Sequence, residues 1–270
     1  MLFLTPPLPQ GTVVGLGDGV TTLRVGSRVA IEPGVPCWTS GAAKEGRYNL
    51  DPDIKFSATP PVHGSLANFV ARHGASIQMR LALKSRALLQ DHPAAWCYEL
   101  PENVTTAQGA LCEPLSVGIH GAIHNTSHHT SIFLVLTRTH NAACRRGEVR
   151  PGTRVAILGA GPIGLVSLIA ANVFGAGAVA ITDLKPFNLE MATSLGATHA
   201  LLVSRAETPG DTSKRLAEAL GGPPDVVIDC CGFESSMATA IDACATGGRV
   251  VLVGMGCSHS ALLRRASTGI

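Results

Sequence analysis

The feature that most constrains this chain is the run Val155-Ala156-Ile157-Leu158-Gly159-Ala160-Gly161-Pro162-Ile163-Gly164. Residues 155–158 are apolar without interruption and rich in branched side chains, the pattern of a strand buried on both faces. Three glycines follow at the spacing Gly-x-Gly-x-x-Gly, and Pro162 stands where a helix would begin. A second apolar run, 178–183, ends in an acidic residue 19 positions beyond Gly164. Strand, glycine turn, helix and a second strand closing on a carboxylate supply the full context of a dinucleotide-binding turn, which a lone glycine pattern does not. Gly159 permits the tight turn. Gly161 has no Cβ, so a pyrophosphate can approach the backbone, and Gly164 lets the helix pack close to the strand. The helix N-terminus offers N–H groups and partial positive charge to the phosphates. Asp183 can accept hydrogen bonds from the adenosine ribose and would repel a 2′-phosphate, which favours NAD over NADP. The alternative is a glycine turn in a doubly wound sheet that binds nothing.

The same alternation continues downstream. Strands are expected at 155–158, 178–183, 199–203, 225–230 and 249–254, with helices at 162–174, 188–195, 212–220 and 235–245. Continuous apolar strands alternating with helices indicate a parallel sheet covered on both faces. Before about residue 145 the apolar runs are shorter and broken by Gly and Pro, with a strand expected at 28–32 and a long irregular loop at 33–61. Residues 76–94, basic and Leu-rich, and 123–142, His-rich, have no partner in this pattern.

At 270 residues there is room for about two domains. Hydrophobic residues at 46% against 15% charged exclude a disordered chain. A net charge of +2 and 4% aromatics give no support for a nucleic-acid or acidic-membrane partner. No apolar run approaches the roughly 20 residues of a membrane span, and Pro6 and Pro7 stop the apolar start before it resembles a secretory signal. Eight scattered cysteines without a CxxC pair read as reduced thiols in a cytoplasmic protein. Cys230-Cys231 reads as a buried packing pair, and His124, His128 and His129 as part of a solvated loop.

Specific stretches carry a resemblance: GTV and VGSRVAIEPGVP within 11–36, GRYNLDPDIKFSATPP at 46–61, WCYELPENVTTAQGALCEPLSVGIHGA at 96–122, and ACRRGEVRPGTRVAILGAGPIG onward to VVLVGMG at 143–256. On these the chain resembles the zinc-dependent polyol dehydrogenases of the medium-chain family, most closely their sorbitol-oxidising branch. The resemblance implies an α/β architecture: a partial GroES-like β-rich catalytic domain over 1–122 with an insert at 76–94, a second insert at 123–142, and a Rossmann NAD-binding domain over 143–270, a doubly wound parallel sheet lacking its last strand. It implies oxidation of a secondary polyol hydroxyl to a ketone, with NAD accepting the hydride and zinc lowering the pKa of the hydroxyl.

The resemblance also implies site residues. Glu113, in Cys112-Glu113-Pro114, is the catalytic and metal-site position. Phe56 and Thr59 line the substrate pocket, and Ile163, Asn188, Val253, Gly254 and Met255 join Gly159, Gly161, Gly164 and Asp183 at the cofactor. Asn188 stands where the family has an Arg, a change expected to weaken NAD binding. Pro7 and Leu8 occupy the family's His and Glu ligand positions, and its Cys ligand segment would precede Met1. One carboxylate does not hold zinc, so zinc retention is not expected and the chain reads as catalytically impaired. A four-Cys structural zinc at Cys37 is set aside, because no other Cys lies between 33 and 50. The alternatives are a non-catalytic NAD-binding fragment, or an alternative-transcript or gene-model product of such an enzyme. A zinc-free NADP reductase is disfavoured by Asp183. The expected partner is a small polyol if the chain is active, with no nucleic acid and no membrane. The family is homo-oligomeric, but part of its dimer surface has no counterpart here.

Overall fold

The computed structural model describes residues 10–57, 62, 69–70, 76–80, 92–122 and 147–254. The chain divides into two compact units, Met1–Glu113 and Pro114–Ile270. Among the described residues the first contains eight short strands: β1 (Gln10–Leu16), β2 (Arg28–Ile31), β3 (Gly34–Val35), β4 (Lys55–Phe56), β5 (Phe69–Val70), β6 (Ser76–Arg80), β7 (His92–Pro93) and β8 (Cys97–Glu99). An antiparallel sheet runs β5-β6-β1-β2-β8 with β7 on β6, while β3 and β4 pair separately.

Residues alternate along β1 between buried and open faces, as a half-buried strand requires. Its buried Val13 meets Leu23, Val29, Ile31, Ala94 and Cys97 in a small core. The Arg28 guanidinium then ties β2 to the loop after β8 by donating to the carbonyls of Val104, Pro101 and Glu102 at 2.6, 2.9 and 3.2 Å. Short helices α1 (Gly41–Lys44) and α2 (Thr106–Ala110) are capped by Ser40 and by a Thr105–Gln108 capping box.

The sequence pattern leaves residues 76–94 free to form a local element but gives it no clear partner; Ser76–Arg80 forms β6, and its partners are β1, β5 and β7. The physical reason is the short period-two run Ser-Ile-Gln-Met-Arg, which suits a half-covered antiparallel strand and supplies ladder bonds to β1. Residues 123–142 lie outside the described residues.

Helix α3 (Cys112–Ala122) begins in the first unit and continues into the second. There Val117 is buried with Val155, Ile157 and Leu168, and a Cβ on Gly118 would lie 2.6 Å from the Val166 carbonyl oxygen. The rest of the second unit alternates strand and helix: β9 (Arg154–Leu158), α4 (Pro162–Val173), β10 (Ala178–Asp183), α5 (Pro186–Ser194), β11 (His199–Leu202), α6 (Pro209–Leu220), β12 (Val226–Asp229), α7 (Glu234–Ala243) and β13 (Arg249–Leu252). The five strands are all parallel, in the order β11-β10-β9-β12-β13, with β9 central as its apolar sequence requires.

Its two faces feed different clusters. Val155 and Ile157 pack with α4 residues Leu168 and Ala171, whereas Ala156 and Leu158 pack with Leu216, Met237 and Ala240. Each fully buried aliphatic side chain of this kind contributes about 1.5–3 kcal/mol. Helices α5 and α6 start earlier than the sequence suggests. Pro186 and Pro209 each occupy the first turn, and Thr208 caps α6 through a capping box with Asp211. No helix among the described residues is long and apolar enough to cross a membrane.

Candidate functional site

The glycine turn joins β9 to α4 at the carboxyl edge of the sheet, the place where open parallel sheets receive their ligands. Its three glycines answer to three different constraints. Gly159 has φ +94°, the left-handed region, and a Cβ there would lie 2.7 Å from the Cys231 Sγ. A Cβ on Gly164 would collide with the Gly159 carbonyl oxygen, so α4 starts hard against the turn. Gly161 is different: its φ of −74° suits any residue, and a Cβ there would meet nothing within 4 Å. The protein itself does not need a glycine at 161, whereas a ligand approaching the backbone does. Gly161 is also the N-cap of α4 and offers no side-chain acceptor, so the helix's first amides are left to another group.

Asp183 ends β10 beside this turn. Its Oδ2 accepts the Ala160 N–H at 2.8 Å and the Asn188 side-chain N–H at 3.1 Å, and its Oδ1 accepts the Lys185 N–H at 2.8 Å. The carboxylate therefore joins the glycine turn to the first turn of α5. Sequence reasoning treats Asn188 only as a lost Arg, whereas the structure places its amide directly on Asp183.

The neighbouring strand ends complete the edge. Asp229, fully buried at the end of β12, accepts from the Cys231 N–H at 2.9 Å, the Gly232 N–H at 3.3 Å and the Ser236 hydroxyl at 3.1 Å. Burial pushes its carboxyl above the ordinary value despite these donors. The Asp229 carbonyl accepts the N–H groups of Val253 and Gly254 at 2.8 and 2.9 Å. A Cβ on Gly254 would collide with the Gly232 backbone, so the loops after β12 and β13 touch main chain to main chain. Ile163 and Val253 are both half-buried and pack on the core that holds Ile157. Cys230 and Cys231 are also half-buried, and burial, followed by the Asp229 and Asp183 charges, pushes the Cys231 thiol up to about 12. Met255 lies outside the described residues.

In the first unit, Phe56 is buried on β4 against Gly34. Thr59 lies outside the described residues, as do Pro7, Leu8 and the histidines at 124, 128 and 129. Glu113, in the first turn of α3, is half-buried, and burial raises its carboxyl above the ordinary value. Among the described residues a single group of three His, Cys, Asp or Glu side chains comes within metal-sharing distance, and Glu113 is not in it.

That group is Cys37, Asp51 and Asp53, which sequence reasoning missed because no spacing rule links a lone Cys to an Asp-x-Asp run. Asp51 is only 2% exposed, and its Oδ2 accepts the Cys37 N–H at 2.8 Å and the Cys37 thiol at 3.2 Å. Its Oδ1 accepts the Asp53 N–H at 3.2 Å. Burial pushes the Asp51 carboxyl up, but the hydrogen bonds from Cys37, Asp53 and Ser40 outweigh it and hold the carboxyl below its ordinary value. Close by, Trp38, Tyr48 and Trp96 pack ring on ring at centroid distances of 5.1–6.2 Å. The hydroxyls of Tyr48 and Tyr98 each donate to a Glu32 oxygen at 2.8 Å.

Two family models match the chain: the alcohol dehydrogenase GroES-like domain over residues 9–79, and the zinc-binding dehydrogenase domain over 162–266. The sorbitol dehydrogenase of Arabidopsis thaliana is 42% identical over 247 residues, which are 91% of this chain and 56% of that protein. The sorbitol dehydrogenase of Bos taurus is 43% identical over 92% of this chain and 57% of its own. Among solved structures, an Escherichia coli oxidoreductase/dehydrogenase of unknown specificity superposes with a TM-score of 0.70 at 30% identity, covering 97% of this chain and 66% of that one. The chain therefore spans somewhat over half the length of the sorbitol dehydrogenases it matches. Antiparallel GroES-like strands, a five-stranded parallel sheet carrying the glycine turn, and identity above two fifths to sorbitol dehydrogenases along nearly the whole chain agree on one assignment: it belongs to the zinc-binding medium-chain dehydrogenases, as a sorbitol-dehydrogenase-like member.

Proposed function

We propose that this chain binds NAD at the carboxyl edge of its parallel sheet, as the cofactor-binding part of a polyol dehydrogenase, without turning over a polyol on its described residues. The observation that carries the reading is the clasp of Asp183 on the Ala160 amide, which fixes a ribose acceptor against the phosphate turn. When bound, the nicotinamide supplies a hydride acceptor. The chain's own residues do the positioning. Gly161 admits the pyrophosphate to the backbone, and the first amides of α4 neutralise part of its charge. Asp183 receives ribose hydroxyls and repels a 2′-phosphate. Asp229 holds the 231–236 loop, and Val253 and Gly254 hang from its carbonyl, which keeps the strand ends in register.

Catalysis in this family rests on zinc, and Pro7 and Leu8 have no donor atoms to offer it where His and Glu are expected. Glu113 remains as the half-buried carboxylate of that site. Its retention favours the second reading, an active dehydrogenase of a small polyol such as sorbitol. Six described cysteines are free thiols, which supports a reducing, cytoplasmic setting.

The experiment is a paired measurement on the purified chain: zinc content with sorbitol-dependent NADH formation, and NADH binding by fluorescence. Binding without turnover and without stoichiometric zinc is expected. Stoichiometric zinc with NADH production from sorbitol would replace this reading by the second.

A further inference from the structure

We infer that Phe233 is a cofactor-binding residue: its open ring, carried on a fixed loop beside the ribose acceptor, stacks on the flat base of the dinucleotide. The inference rests on the NAD reading above and deepens it. Phe233 follows β12 and is the N-cap of α7. That position favours Ser, Thr, Asp or Asn, whose side-chain oxygen accepts a first-turn amide, and a phenyl ring accepts none. Nor does the ring fill the core. At 68% exposed it is the most open aromatic side chain among the described residues. The fold thus takes neither a cap nor packing from it. A ring kept in water at the carboxyl edge of a parallel sheet, where ligands bind, has its use in an apolar surface that comes to cover it.

The backbone under the ring is held on both sides. The Phe233 N–H donates to Ser236 Oγ at 3.1 Å, and its carbonyl accepts the Met237 N–H at 2.9 Å. Just before it, Asp229 holds the Cys231 and Gly232 amides, and Gly232 rests on the Gly254 main chain. The ring is therefore presented without a loop to be ordered on binding. The same loop borders the dinucleotide site. Cys231 Sγ lies 2.7 Å from where a Cβ on Gly159 would stand, and its thiol feels the Asp183 charge. Phe233 comes two residues later. Strands β10 and β12 both neighbour β9, so the loops after them stand on either side of the glycine turn. Leu184, directly after Asp183, is the exposed apolar residue on the β10 side. A base leaving a ribose at Asp183 is thus bordered by two open apolar side chains, and the ring offers it a flat face. A base held by its face is read without its edge, so the ring fixes the adenosine half without choosing among purines.

The test is calorimetric titration of the full chain, Phe233→Ser and Phe233→Tyr with three probes: NADH, ADP-ribose, which lacks the nicotinamide, and reduced nicotinamide hypoxanthine dinucleotide. Phe233→Ser is expected to weaken all three by one factor, about 5–50-fold, the span of a base–aromatic stack. Phe233→Tyr, which keeps the ring, should stay within about 3-fold of the parent. Because Ser is a favoured cap, the thermal midpoint of Phe233→Ser without ligand should hold or rise by up to about 4 °C, so stability and affinity part company. Phe233→Asn, a second capping residue, repeats the test if Phe233→Ser folds poorly. Unchanged NADH affinity in Phe233→Ser, a loss for NADH but not for ADP-ribose, or a loss shared by Phe233→Tyr would overturn the inference and leave NAD binding standing. A midpoint that falls with the affinity in both capping variants would do the same. Failure of the unmutated chain to bind NADH would overturn the NAD reading itself, and this inference with it.

Discussion

Replacing the second and third glycines of the turn by alanine, one at a time, should separate what the fold needs from what the cofactor needs. At Gly164 the new methyl would meet the Gly159 carbonyl, a backbone atom locked at the end of β9, so nothing flexible can yield. Overpacking of this kind costs about 1–3 kcal/mol, and the gain of Ala over Gly in a helix returns up to about 1 kcal/mol. The net loss should lower the melting midpoint of the second unit by about 2–6 °C. At Gly161 the backbone (φ −74°, ψ −177°) accepts Ala, and the methyl meets no protein atom within 4 Å. The cost there is the cap preference of Gly over Ala, about 0.5–1 kcal/mol. NADH affinity should nevertheless fall about 10–100-fold, because the methyl stands where the pyrophosphate must approach the main chain. Scanning calorimetry with and without NADH, joined to a fluorescence titration, reads both quantities. An unchanged NADH dissociation constant for Gly161→Ala would refute the argument, since the open space at that Cβ would then have no ligand to explain it.

Three further outcomes follow from the charges and thiols. Asp51 is held below its ordinary pKa in the folded chain, so its contribution is present above the unfolded value and is lost as pH falls through the folded one. Asp51→Asn should therefore flatten the fall in thermal midpoint below about pH 4, and an acid limb identical to the parent's would refute this. Asp229 has the opposite sign: its raised carboxyl favours the folded state in acid, and that advantage is lost as pH rises through the folded pKa. Asp229→Asn, which keeps an acceptor for the Cys231 and Gly232 amides, should thus cost under about 1 kcal/mol at pH 7, and urea titration showing a larger loss would contradict it. Cys231, with its thiol near 12 and half-buried against Gly159, should alkylate far more slowly than exposed Cys37 at neutral pH. Peptide mapping of a brief iodoacetamide pulse checks this, and equal labelling of the two would count against it.

What the sequence made legible depended on how local the cause was. A strand buried on both faces, such as β9, announces itself as an uninterrupted apolar run, and the turn after it is written in three glycines within six residues. Its central place in the sheet follows from the same apolarity. The strand β6 was not legible, because its reason for being a strand is β1, about sixty residues earlier, and its five residues alternate too briefly against a basic, Leu-rich background. The expected starts of α5 and α6 fall two and three residues late, because the first turns of both helices, opened by Pro186 and Pro209, carry no apolar periodicity of their own.

The site divides along the same line. The glycines and Asp183 could be named because each is required by its own place in a strand–turn–helix unit. Asn188 and Asp51 could not be given their roles, because each is defined by a partner whose position only the folded chain supplies. Read alone, Asn188 is a missing charge. Placed on Asp183 Oδ2, it is a donor that costs the carboxylate none of its own charge. That bond ties the first turn of α5 to the carboxylate at the end of β10, a role that no local pattern around residue 188 announces.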